Sequence, residues 1–328
     1  MTTDFTFRAD RKLSEVLSGG GFTLSAEVIP PRNGAEQVRI LKDIEALIRA
    51  GAQFLAVTKG AGGSLRGGSL PIAQLIKERF GVPCIAHFTC RDLLPADIEN
   101  QLMDHHLFGV RNILALRGDP PDGQPGWQTP AGGYSYAHEL IRQIVSMNHG
   151  EYLRRANAPT AEAAGTASRE KTDFCIGAAA YAEWPDETER IEFFRRKVEA
   201  GAHYGITDML FDAEAYARFI ELCRKHGLAV PVLPGTRLLR SREQVDRMTA
   251  RFKVQVPRAM YDALPARDVD GEGSRRGVDL FMGFVERLRA LGAPGIHVFV
   301  IGDVAGACDI LTGLAWKKRK DKYSRTES

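Results

Sequence analysis

Short apolar runs rich in β-branched residues alternate along most of the chain with longer stretches in which apolar residues recur at helical spacing. The strand-like runs are residues 23–29, 54–58, 83–88, 112–116, 174–180, 206–211, 230–233 and 296–301. The amphipathic stretches are 36–50, 95–106, 189–200, 213–226 and 278–291. Gly51, Gly201, Gly227 and Gly292 follow four of them, where a left-handed cap ends a helix before the next strand. Eight strands with intervening helices predict an α/β fold, a single (β/α)8 TIM barrel. The pattern divides the chain into an N-terminal helical extension at 1–19, the barrel at 20–316 and a basic C-terminal tail at 317–328.

Two stretches break the rhythm. Residues 151–171 are rich in Ala, Thr and charge without an apolar period and predict a mobile excursion. Residues 265–276, with Asp268, Asp270, Gly271 and Gly273, predict a surface loop. The rival architecture is a doubly wound dinucleotide fold, because Gly60, Gly62, Gly63, Gly67 and Gly68 follow a strand. These glycines match neither G-x-G-x-x-G nor G-x-x-x-x-G-K-[ST], so a flexible loop at the barrel's active face is preferred to a phosphate cradle.

Composition narrows the function classes. An apolar fraction of 44% and a charged fraction of 26% over 328 residues are those of a soluble globular protein. The net charge of +3 gives no reason to expect nucleic acid, and much of the excess lies in Lys317, Lys318, Arg319, Lys320 and Lys322, a solvated tail. The five cysteines form no C-x-x-C pair, which fits a reducing cytoplasm better than a disulfide framework or a zinc site. The N-terminus lacks a basic segment followed by an apolar one, and no run approaches about 18 apolar residues, so neither secretion nor a membrane is expected.

Polar residues gather at the strand ends, where barrel active sites are assembled. They are Glu27, then Thr58 and Lys59, His87 and Thr89, Arg117 and Asp119, Tyr181 and Glu183, and Asp208 and Asp212. Glu27 has apolar neighbours and two readings. One is a buried salt bridge to an arginine or lysine across the barrel. The other is a general acid whose pKa is raised by desolvation. Asp119, in Arg117-Gly118-Asp119-Pro120, either shapes a turn or pairs with Arg117, or it carries chemistry. His87 has no second ligand at metal spacing, so no metal is expected, and hydrogen bonding or ring stacking is its reading.

Taken together, Ala26-Glu27-Val28-Ile29-Pro30-Pro31-Arg32, Val57-Thr58, Ala86-His87-Phe88-Thr89-Cys90, Ala115-Leu116-Arg117-Gly118-Asp119, Ala179-Ala180-Tyr181-Ala182-Glu183, Lys197-Val198-Glu199-Ala200-Gly201-Ala202 and Pro234-Gly235 resemble the catalytic domain of flavin-dependent methylenetetrahydrofolate reductases. The resemblance runs from about residue 20 to 315. It implies a barrel that binds FAD, takes hydride from NAD(P)H and passes it from flavin N5 to a folate-type substrate. In that family Glu27 matches the general acid, and Asp119 matches the carboxylate that faces flavin and folate. Thr58, His87, Arg117, Gly118, Asp119, Tyr136, Ala137, Tyr181 and Lys197 match FAD-holding positions. Homo-oligomers are common among such barrels.

Three departures fall on the substrate side. Asp208 stands where the family has a pterin-binding glutamine, and Arg242 where it has an aromatic residue. Val298-Phe299-Val300-Ile301-Gly302-Asp303 replaces the usual ending of the last strand. With Glu27 and Asp119, these place Asp208 and Arg242 as expected substrate contacts. The alternatives are another pterin or one-carbon carrier, or a subunit reduced by a partner protein instead of NAD(P)H.

Overall fold

The computed structural model describes residues 7–31, 36–64, 67–121, 123–124, 126–153, 170–252 and 254–324, with side chains up to residue 316. Eight strands pair in sequence order: β1 (Thr23–Val28), β2 (Phe54–Val57), β3 (Cys84–Thr89), β4 (Asn112–Leu116), β5 (Cys175–Ala180), β6 (Tyr204–Met209), β7 (Val232–Thr236) and β8 (Gly295–Phe299). Every pair is parallel, and β8 closes on β1 with His297 opposite Ser25 and Phe299 opposite Glu27. The closed ring bears out the (β/α)8 TIM barrel and rules out the doubly wound sheet, which has open edges.

The strand runs read from the sequence are recovered with small shifts, and the largest have physical causes. The sequence reading ends β7 before Pro234, which donates no ladder bond. The strand nevertheless continues to Thr236, because Gly235 N–H donates to Thr207 Oγ1 at 2.8 Å and Leu210 N–H donates to Gly235 O at 2.8 Å. A side chain thus carries the pairing across a register shift between Ile206 and Met209. β8 stops at Phe299, short of the expected residue 301, where Ile301 turns left-handed at φ 40°.

Residues 265–276 are not all loop, a correction to the sequence reading. The helix Glu272–Ala290 begins among them, because Gly273 and Gly277 let its first turns lie directly on Arg240 O and Leu239 O. A Cβ at those positions would come within 2.2 and 2.1 Å of the two oxygens. Most of the excursion expected at 151–171 lies outside the described residues. The last helix, Val304–Ser324, runs into the stretch expected as a basic tail. No helix among the described residues is long and apolar enough to cross a membrane.

Side chains alternate across each strand, so every second residue faces the barrel interior. Phe54, Ala56, Ile85, Leu114, Cys175, Tyr204, Ile206 and Leu233 fill its lower part. The short helix Leu13–Ser18 seals that end, with Leu13 and Leu17 buried in the same cluster. Its polar strap is fully used: Asn112 Oδ1 accepts from Leu13 N–H at 2.7 Å, and Asp10 Oδ2 accepts from Cys84 N–H at 2.9 Å and Asn112 Nδ2 at 3.0 Å.

Burial raises the Asp10 carboxyl from 3.8 to about 6, against the lowering effect of those bonds. A raised carboxyl favours the protonated folded state, so its contribution is present below pH 4 and is lost as pH rises through 6. Asp10→Asn keeps an acceptor without the charge. Its melting temperature should match the parent at pH 4 and exceed it at pH 8, by up to about 3 kcal/mol of stability. Thermal unfolding at the two pH values checks this, and a gap that does not change with pH contradicts it.

Candidate functional site

Continuing the inward alternation past the apolar layer puts polar residues at the C-terminal mouth: Glu27 above Ser25, Thr58 above Ala56, His87 above Ile85 and Asp208 above Ile206. Here a cavity of about 420 Å³ opens. Glu27, Thr58, His87, Arg117, Gly118, Asp119, Tyr136, Ala137, Tyr181 and Lys197 all line it. The structure therefore gathers onto one surface residues that lie as far apart in sequence as β1 and the helix Glu187–Glu199.

Glu27 is only 12% exposed, and its partners are histidines, not the arginine or lysine expected across the barrel. His87 Nε2 lies 3.4 Å and His297 Nε2 3.7 Å from Glu27 Oε2. Burial alone raises the Glu27 carboxyl, but His297 and His87 outweigh it and hold the pKa below its ordinary value. The expectation that desolvation leaves Glu27 with a raised pKa is corrected accordingly. Burial lowers the His87 imidazole pKa, and the Glu27 charge opposes that shift.

Ser25 Oγ sits 2.9 Å from both Ile296 O and His297 Nδ1. A carbonyl can only accept, so a hydroxyl proton given to Ile296 leaves Oγ to accept from Nδ1–H. His297 then turns Nε2 to Glu27. The sequence reading missed Ser25 and His297. The available signal was a lone histidine at an inward position of the apolar run that becomes β8.

Asp119 does not pair with Arg117 among the described residues. Arg117 Nε donates to Gly118 O at 3.4 Å, while Asp119 Oδ2 accepts from Gly62 N–H at 2.8 Å. Gly118 makes the turn at φ 94°, and a Cβ there would lie 2.9 Å from Arg91 Cβ and 3.1 Å from Thr89 Cβ. The glycine loop does lie at the active face, as Gly60 and Ala61 line the cavity, and it is fastened to Asp119.

On the far side Lys197 is 8% exposed, donates from Nζ to Ala179 O at 2.8 Å and lies 4.7 Å above the Tyr181 ring. Burial pushes its pKa down to about 8, against the pull of Asp208. Asp208 is raised to about 7 by burial, and its Oδ1 has no hydrogen-bond partner among the described residues. Near neutral pH its carboxyl is therefore protonated in a share of molecules and can donate as well as accept. Glu183 reaches about 7 through burial and the nearby charges of Asp208 and Asp212.

Four candidates do not line the cavity: Asp208 and Glu183, just described, and also Asp212 and Arg242. Asp212 caps the helix Ala213–Lys225, accepting from Glu214 N–H at 2.9 Å. Arg242 opens the helix Arg242–Arg251 with its N–H on Pro265 O at 2.9 Å, and it does not line the cavity. Its expected substrate contact came from matching positions along the chain, whereas the fold ties this turn to the 265–268 segment.

Further lining residues escaped the sequence reading. Phe193 and Arg196 join Lys197 on one face of their helix at i, i+3 and i+4, a spacing visible in the sequence. His138 stacks on Tyr136 with centroids 5.5 Å apart. Among the described residues no cluster of His, Cys, Asp or Glu suits a metal ion.

A sequence model of the methylenetetrahydrofolate reductase family matches residues 12–314. A probable methylenetetrahydrofolate reductase (NADH) of Oryza sativa subsp. japonica is 28% identical over 306 residues, covering 92% of this chain and 50% of that one. The chain thus spans about half the length of the plant relatives it matches. The 5,10-methylenetetrahydrofolate reductase of Escherichia coli (strain K12) is 29% identical over 297 residues, covering 89% of this chain and 90% of that one. Among solved structures, an uncharacterized protein from Clostridium thermocellum that binds two copies of 5-methyl-5,6,7,8-tetrahydrofolic acid superposes with a TM-score of 0.56. It is 15% identical and covers 93% of this chain and 99% of that one, a likeness of fold.

Proposed function

The chain belongs to the methylenetetrahydrofolate reductase family, and on that premise we propose that its barrel binds FAD and reduces 5,10-methylenetetrahydrofolate to 5-methyltetrahydrofolate. The observation that carries the reading is the convergence of Glu27, Asp119 and the cationic Arg117, Arg196 and Lys197 on one cavity. The donor set fits a dinucleotide flavin. The cations match a pyrophosphate, the Tyr136–His138 stack offers a flat aromatic surface, and the buried Thr89 Oγ1 has no hydrogen-bond partner among the described residues. FAD, when bound, accepts hydride from a reduced donor and gives it to the folate.

The chain's own residues supply the acid and the charge. Glu27 protonates the folate's bridging nitrogen to open its five-membered ring. A bare carboxylate facing a bare imidazole lone pair is repulsive, so Glu27 and His297 hold one proton between them. Ser25 fixes the tautomer that keeps His297 Nε2 on Glu27. Asp119 stabilises the cation left when the ring opens. Asp208, protonated part of the time, offers the pterin edge both a donor and an acceptor, as an amide does.

Anaerobic mixing of the FAD-loaded protein with NADH or NADPH should bleach the flavin, and methylenetetrahydrofolate should restore the colour. A reduced flavin that methylenetetrahydrofolate leaves unchanged overturns the proposed substrate. The substrate-side departures at Asp208 and in residues 298–303 favour a second reading, the same flavin barrel acting on another pterin or one-carbon carrier; the remaining alternative is a subunit fed by a partner protein. Bleaching by dithionite but by neither nicotinamide supports it.

Lys197 gives the flavin reading a pH test. Its ammonium is present below about 8 and is lost above, so FAD should bind about tenfold more weakly at pH 9.5 than at pH 7, on the scale of one charge-assisted bond. Flavin fluorescence titration measures this, and Lys197→Met should abolish the difference.

A further inference from the structure

Arg91 is 4% exposed, and each arm of its guanidinium reaches a different segment. Nη1 donates to Asp119 O at 2.6 Å, Nη2 donates to Ser64 O at 3.4 Å, and Nε pairs with Asp92 Oδ2 at 3.2 Å. Asp92 is itself held, since its Oδ1 accepts from Trp127 Nε1 at 2.7 Å. The loops that follow β2, β3 and β4 are thereby joined at the cavity mouth. The Arg91 stem passes through the space left by Gly118, where a Cβ would meet its Cβ at 2.9 Å. The Asp119 carboxylate then receives Gly62 N–H from the same loop that Arg91 grips at Ser64.

We propose that Arg91 is the positioning residue for Asp119: its guanidinium ties the Asp119 turn to the glycine loop, so the carboxylate is oriented at both its backbone and its side chain. The role rests on the reading of Asp119 given above. The planar fork is what the arrangement requires. Two carbonyl oxygens on separate loops accept from two fixed N–H arms, and a lysine ammonium on a flexible stem lacks that preset geometry. A buried arginine with these partners also resists leaving, because removing one partner strands a desolvated charge. Asp119 therefore keeps its place without help from a ligand.

The first test needs no flavin and no turnover. Hydrogen–deuterium exchange of the flavin-free chain should show residues 59–64 exchanging at least tenfold faster in Arg91→Met, with the β5 segment unchanged. Arg91→Lys should restore part of the protection. Unchanged exchange in Arg91→Met, equal acceleration of β5, or full restoration by lysine overturns the proposal. Should the methionine variant fail to fold, Arg91→Lys against the parent supplies the same comparison.

The second test uses the FAD-loaded protein. Arg91→Met should lower kcat about tenfold or more with KM for the folate within about twofold, and adding it to Asp119→Ala should cost nothing further. Additive losses overturn the link to Asp119. A protein that does not reduce the folate fails the functional reading, while the exchange result still decides whether Arg91 holds the loops.

Discussion

Glu27→Gln should slow reoxidation of the reduced flavin by methylenetetrahydrofolate by about 10²-fold or more, the scale of a lost general acid. Glutamine keeps the size and an acceptor oxygen but has no proton to give. The flavin spectrum should be retained, because no cationic contact to the cofactor is touched. Loss of the carboxylate also removes the charge that opposes the lowering of His87, so that imidazole stays neutral to still lower pH. The pH dependence of reoxidation should therefore lose the limb that Glu27 contributes in the parent. Stopped-flow reoxidation across pH measures rate and profile together. Turnover within threefold of the parent would remove Glu27 from the mechanism.

Leu13→Ala should destabilise the whole barrel by about 2–5 kcal/mol, although residue 13 precedes the first strand. Its side chain is fully buried among Phe54, Ile85, Leu114 and Leu233, and its N–H is held by Asn112 Oδ1. A closed ring of strands cannot shrink to fill the gap, so a cavity remains and adds to the lost transfer energy. The urea midpoint should fall at constant m-value. Exposed Glu15 on the same helix is the control, and Glu15→Ala should change stability by less than about 0.5 kcal/mol.

These two residues show how far the sequence could be read. Leu13 and Leu17 carry a helical spacing, but nothing local says that the helix enters the barrel floor. That follows from Asp10 and Asn112, which meet across the described fold. Glu27 was legible as a chemical residue because a carboxylate in an apolar run demands a partner. Its partner was not legible, since His297 is brought beside it only when β8 closes on β1. The direction of its pKa shift therefore reversed. Arg242 illustrates the opposite error. A position matched along the chain was assigned to the site, yet the turn after β7 is tied to Pro265 and away from the cavity.

The eight strands, the glycine stops between them and most of the polar residues at the barrel mouth are written in the order of amino acids alone. Each of these depends on local period, backbone preference or a residue type that must be satisfied wherever it is buried. Which charges face which depends on how the folded ring brings distant segments together. The Glu27–His297–Ser25 array, the Asp119–Gly62 bond and the three-way grip of Arg91 join segments that are distant along the chain, and hydrogen bonds and desolvation act over a few ångströms of space. Where ring closure sets those distances, no local pattern records them.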